Sequence, residues 1–216
     1  MRLAALAPAA AAALSGPVAS AAHTEFYLAG GAALALHLGH RTAHGLDLMS
    51  SGNRLAPADR RDLLFRLLAA EPAARVETAR DGYLFAHLPG PVALRCFWYP
   101  YPLLEPLAEA AGFPVASLVD LALMKLGALV SRGARRDFVE LYLITRELPL
   151  AAILARASEK FAHVGDFPLQ AKKALADLAL AEGDPMPRLS RELSWATVRD
   201  WALGEAAAGG REALGA

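Results

Sequence analysis

The chain has 216 residues, 55% of them hydrophobic, which suits one large domain or a domain with a helical extension. Its 22 basic and 22 acidic side chains cancel, so no global field draws it to nucleic acid or anionic lipid, and any RNA-binding surface must be local. Cys96 is the only cysteine, which excludes an intrachain disulfide; its apolar setting, "VALRCFWY", suits a buried small hydrophobe in a reducing, cytoplasmic compartment.

The first segment, residues 1–23, "MRLAALAPAAAAALSGPVASAAH", imitates a secretory signal in its early Arg2, its Ala/Leu run and its small residues at 19–22. Pro8 and Gly16-Pro17 interrupt that run, and alanine is the best helix former, so a surface helix or a flexible segment is the other reading. No segment reaches the unbroken apolar length of a membrane span. Residues 26–29 read as a short strand, Gly30-Gly31 breaks it, and residues 32–38 read as a helix ending at Gly39. Residues 46–49 form a second strand candidate. In "PADRRDLLFRLLAA", starting at Pro57, the leucines 63, 64, 67 and 68 share one helical face, predicted to pack.

Three further strand candidates, "ARVETA", "YLFAHL" and "VALRCFWY", are separated by the turn signals "RDG" and "PGP" and predict a small antiparallel meander. From Ser117 the pattern is helical, with breaks near residues 132–134, Pro149, 165–168 and 183–187, and the end, "EAAAGGREALGA", reads as a flexible tail. The expectation is an α+β chain: residues 1–23 a helix or flexible segment, 24–115 a mixed-sheet core, 116–204 a helical half, 205–216 a tail.

Four features carry possible chemistry. At Gly30-Gly31 the missing side chains let backbone N–H groups approach an anion, usually phosphate, at the start of the next helix; the plainer reading is a tight turn that binds nothing. "GGAALA" lacks the later glycines of a dinucleotide fingerprint and the Lys-Ser or Lys-Thr of a P-loop. Lys125 is the one charged residue among the apolar residues 121–130, so its ammonium must reach a carboxylate, a ligand phosphate or solvent. Asp137 and Glu140 follow one helical turn apart, where acidic residues also favour the helix dipole. His37, His40 and His44 lie close together, but Gly39 ends the helix between them, which spoils a shared zinc-ligand face. Lys172-Lys173 is too small a basic cluster to signal RNA, and Trp195 and Trp201 suit core packing better than base stacking.

The stretch "FYLAGGAALALHLGHRTAHGLDLMS" (residues 26–50) resembles the opening motif of the nucleotidyltransferase AbiEii/AbiGii toxin family, within the nucleotidyltransferase superfamily. "YPYPLLEP", "ASLVDLALMKLGAL" and "SRGARRDFVELY" follow in family-like order, so the resemblance runs to about Tyr142. It implies a nucleotidyltransferase-like mixed-sheet core with a helical half. The reaction it implies is transfer of a nucleoside monophosphate from an NTP to an acceptor hydroxyl, on Mg²⁺ held by two carboxylates. Related toxins act on RNA, and such toxins usually have a cognate antitoxin partner. Under the resemblance Gly30 and Gly31 face the triphosphate, Asp47 is the second carboxylate and a metal ligand, Lys125 the phosphate-facing lysine, and Asp137 the acidic residue of the later helix. Arg41 either contacts phosphate or pairs with a local carboxylate.

The sequence departs from that family where the metal chemistry lies. Gly45 stands at the first carboxylate position, Ala43 at the preceding serine, and Ala32 replaces the threonine after the glycine pair. The strand "VALRCFWY" offers Arg95 where an acidic residue could stand. Mg²⁺ seeks near-octahedral oxygen coordination, so losing a bridging carboxylate undermines its capture. Two readings therefore remain, an active nucleotidyltransferase toxin and a degenerate member that binds a nucleotide or a partner.

Overall fold

In the computed structural model, which describes residues 1–213, the chain divides into two compact units, Met1–Ser117 and the residues from Leu118 onward. The first contains a mixed seven-stranded sheet in the order β3-β4-β5-β2-β1-β7-β6. Its strands are β1 (Tyr27–Ala29), β2 (Leu46–Ser50), β3 (Arg75–Arg80), β4 (Tyr83–Leu88), β5 (Val92–Trp98), β6 (Ala108–Ala110) and β7 (Phe113–Val115). The predicted meander is β3-β4-β5, antiparallel throughout. β6 and β7 escaped the sequence reading: each is three residues long, too short for alternation to show.

The register that matters is at the centre. β2 pairs antiparallel with β1, placing Asp47 opposite Ala29, and parallel with β5, placing Asp47 beside Arg95. Period-two alternation does the rest. Leu46 and Leu48 of β2, with Leu94 and Cys96 of β5, are buried on one face, so Asp47, Met49, Arg95 and Phe97 stand on the other. Burial pushes the Cys96 thiol up to about 12, helped by the charge of Asp47, as suits a packing residue.

Helix α1 (Pro8–Ala13), a π-helical turn (Leu14–Val18) carrying Pro17, and α2 (Ala19–Ala22) lead into the sheet. Residues 1–23 are largely helical and packed on one face: Ala10, Leu14 and Val18 are fully buried and belong to the first unit's core, whereas Pro8, Ser15 and Ser20 are exposed. Ala7 N–H donates to the carbonyl of Ala43 at 2.9 Å, and Ala43 N–H to that of Ala5 at 2.8 Å. Helix α3 (Gly30–Leu38) starts two residues before the expected position and ends at Gly39, whose φ of 64° makes the left-handed cap. In α4 (Pro57–Ala70) the leucine stripe is narrower than predicted. Leu63 and Leu67 are buried, whereas Leu64 is half-buried and Leu68 exposed, because a helix one side of which meets water buries only its central row.

The second unit is helical: α5 (Leu118–Arg132), α6 (Arg135–Thr145), α7 (Leu150–Ala155), α8 (Ala157–Lys160), α9 (Phe167–Ala176), α10 (Ala179–Gly183) and α11 (Trp195–Ala213). Leu126, Phe138, Leu141, Ile153 and Leu175 are among its fully buried side chains. Trp195 packs edge-on against Phe138 at 5.9 Å and Trp201 against Tyr142 at 5.5 Å, so both tie α11 to α6. The expected tail is corrected: residues 205–213 continue α11, because alanine-rich sequence extends a helix already anchored by packing, and residues 214–216 lie outside the described part. Among the described residues no helix is long and apolar enough to cross a membrane.

Candidate active site

β1 passes into α3 through Gly30, whose φ is 58°. A Cβ built there would stand 2.5 Å from Asp47 Oδ2. Glycine is therefore required twice over, by the left-handed backbone and by the closeness of the carboxylate that β2 delivers opposite Ala29. Asp47 keeps 29% of its side chain exposed, so the carboxylate can still be reached. The first turn of α3 has no side-chain cap and no acidic residue of its own. Its amide donors and the positive end of the helix lie beside Asp47.

Arg95 is the charged neighbour of Asp47. The guanidinium Nη1 lies 3.5 Å from Asp47 Oδ1, a long contact, and the group stacks over Phe85 with its carbon 4.9 Å from the ring centre. Gly45 backs onto the same strand. A Cβ at that position would meet the Ala93 carbonyl at 3.2 Å and Arg95 Nη1 at 3.8 Å. A carboxylate there would stand within reach of the arginine. The donor set consequently does not fit a two-carboxylate Mg²⁺ site: one acid is present, and its charged neighbour is the Arg95 cation. Ala43 is buried in the backbone bridge to Leu6.

The histidines do not supply the missing ligands. His37 Nε2 bonds the Ala116 carbonyl at 2.9 Å, and burial holds its pKa below the usual imidazole value although that bond works the other way. His40 is buried and His44 exposed. Among the described residues no group of three or more His, Cys, Asp or Glu side chains is placed to hold a metal ion. Arg41 reaches the Thr42 carbonyl at 3.5 Å.

In the helical unit, Lys125 and Asp137 come together. Lys125 is not a snorkelling residue but a buried one, 8% exposed. Its Nζ donates to Asp137 Oδ1 at 3.0 Å and pairs with Glu140. Arg132 holds Asp137 through two bonds, at 2.7 and 2.9 Å, and Arg136 holds Glu140 at 3.1 Å. Burial opposes the charge on Asp137, but hydrogen bonds and charges from Arg132 and Lys125 outweigh it and keep the carboxyl below the usual range. Three cations thus surround two carboxylates, with Arg132 62% and Arg136 49% exposed at the wet end. Arg136 and Glu140 lie four residues apart on α6, a spacing the sequence shows; that Arg132, at the end of α5, and the buried Lys125 both hold Asp137 was not legible. Asp120 and Lys160 form a second, wholly buried pair at 2.8 Å, missed because nothing local links residues 40 apart. Burial holds Lys160 below the usual lysine value, opposed by Asp120.

No protein-family model matches the chain. It is 30% identical over 125 residues to an uncharacterised protein of Aquifex aeolicus, a match covering 57% of this chain. The chain spans 59% of the length of that relative. Among solved structures it is similar to a presumptive nucleotidyltransferase of H. pylori, with a TM-score of 0.52, 15% identity and 88% of each chain covered. It is also similar to MenT4, a nucleotidyltransferase toxin from Mycobacterium tuberculosis, with a TM-score of 0.54 and 14% identity over 91% of this chain and 82% of that one. The fold is accordingly α+β and nucleotidyltransferase-like.

Proposed function

We propose that this protein is an AbiEii-type member of the nucleotidyltransferase superfamily. In this reading it keeps the nucleotide end of the active site and has lost most or all transfer activity. The observation that carries it is Asp47: it stands at the glycine turn that, in this reading, faces a triphosphate, yet its neighbours are Gly45 and Arg95 rather than a second acid. The uncapped first turn of α3 supports phosphate binding, because those amides need an acceptor. The likeness to a nucleotidyltransferase toxin supports the same class. Nucleoside triphosphate is the proposed ligand. A cognate antitoxin and a cytoplasmic setting follow from the same resemblance.

The second reading is an active toxin that transfers a nucleoside monophosphate to RNA, with Mg²⁺ as cofactor. It is favoured by the exposure retained at Asp47 and by the charged cluster around Lys125 and Asp137. A label-transfer assay decides between the two: each NTP, Mg²⁺ or Mn²⁺, and total RNA, run on wild type and Asp47→Ala. The expected outcome is no transfer above background by wild type. Transfer by wild type that Asp47→Ala abolishes would overturn the degenerate reading.

A further inference from the structure

Arg95 occupies the neighbourhood where this fold would otherwise collect its metal ligands, and three independent observations give it a role. It lies in register with Asp47 across the parallel β2–β5 pair, so the two side chains leave the same face of the sheet. The Phe85 ring beneath its guanidinium, 4.9 Å away, fixes the side chain's direction without using any of its N–H donors. The space beside it is left open by Gly45, where a Cβ would come within 3.8 Å of Nη1. Its contact with Asp47 is long, 3.5 Å, and 39% of the side chain is exposed, so most of the guanidinium fork remains available.

Charge balance then constrains what can bind. A triphosphate brought to the first turn of α3 would approach the Asp47 carboxylate, and like charges at that range repel unless a cation stands between them. Gly45 and Arg95 deny a divalent ion its coordination, whereas a guanidinium both neutralises a carboxylate and takes phosphate oxygens in a planar fork. We propose that Arg95 is the resident cation of this site: it replaces the divalent ion, balances Asp47, and receives the phosphates of a nucleotide bound without Mg²⁺. The phosphate half of this inference rests on the nucleotide reading above; the replacement of the metal does not.

The test has a metal arm and a nucleotide arm, both on the full chain. Mn²⁺ binding is followed by electron paramagnetic resonance for wild type, Gly45→Asp, Arg95→Glu and the double variant Gly45→Asp/Arg95→Ala. Wild type and Gly45→Asp are expected to leave Mn²⁺ free, the latter because its new carboxylate pairs with Arg95. The double variant is expected to bind Mn²⁺. So is Arg95→Glu, which sets a second acid beside Asp47 without crowding Ala93. Mn²⁺ bound by wild type, or by Gly45→Asp as tightly as by the double variant, overturns the replacement.

In the second arm, calorimetry with ATP, GTP, CTP and UTP compares EDTA with Mg²⁺. Affinity is expected to be unchanged by chelation and to fall about tenfold to a hundredfold in Arg95→Ala, the range for loss of a charge-assisted hydrogen bond; Arg95→Lys should recover part of it. Binding that requires Mg²⁺ overturns the proposal. No binding of any nucleotide overturns its phosphate half and the nucleotide reading together, while the Mn²⁺ pattern still decides whether Arg95 has displaced the metal.

Discussion

The sheet unit and the helical unit treat charge in opposite ways. In the sheet, Asp47 and Arg95 meet at 3.5 Å with 29% and 39% of their side chains exposed. In the helical unit, Asp120 and Lys160 meet at 2.8 Å with neither exposed, and Asp137 and Glu140 are equally dry. A half-exposed pair gains little from its partner and gives little up when a ligand rearranges it. A dry pair has already given up its water and depends on its partner, so it holds a shape. The contrast teaches where a ligand can act on this chain: charge that is still reachable and loosely paired lies at the glycine turn, whereas the buried pairs serve to lock helices together.

Breaking the driest pair should have the largest effect. Asp120→Ala leaves Lys160 buried without its counter-charge and is expected to cost about 3–5 kcal/mol of stability in urea unfolding. Replacing both, by Asp120→Leu with Lys160→Met, should recover most of that loss, since an apolar pair has no desolvation cost. A single variant that costs less than about 1 kcal/mol would place the pair with the exposed ones.

The same measurement on Arg95→Ala sharpens the other side of the contrast. Its stability cost is expected to stay below about 1 kcal/mol, so a change in nucleotide affinity can be read without a folding defect. A loss as large as that of Asp120→Ala would make Arg95 a structural residue.

The smallest effect is a pH dependence in the sheet unit. Because burial lowers the pKa of folded His37, the unfolded chain takes up its proton first as pH falls through 6.5. Stability contributed by neutral His37 is therefore complete above 6.5, declines below it, and levels off once pH passes the folded value. His37→Gln should remove that component from a plot of unfolding free energy against pH, and a plot left unchanged would mean that His37 does not carry it.

How far these features were legible differs residue by residue. Gly30-Gly31 announced a turn, and Gly39 announced the end of its helix, because Gly30 and Gly39 each take up left-handed backbone. The three meander strands were legible from alternation and turn residues. Lys125 declared itself as a cation in an apolar helix needing a partner, and the structure supplies Asp137 and Glu140. Which face of the amino-terminal helices would be covered was not legible, since an alanine run carries no stripe that shows it.

By itself the sequence determined the secondary-structure periods and the glycine turn, and it set a glycine, Gly45, two residues before Asp47, all of which depend on residues within a few positions of one another. Only the tertiary structure decided that β2 lies parallel to β5 in a register that sets Arg95 beside Asp47, and that Asp120 meets Lys160. Those partners are 48 and 40 residues apart. Their meeting follows from which apolar faces the whole chain can bury at once, a condition that no short stretch carries.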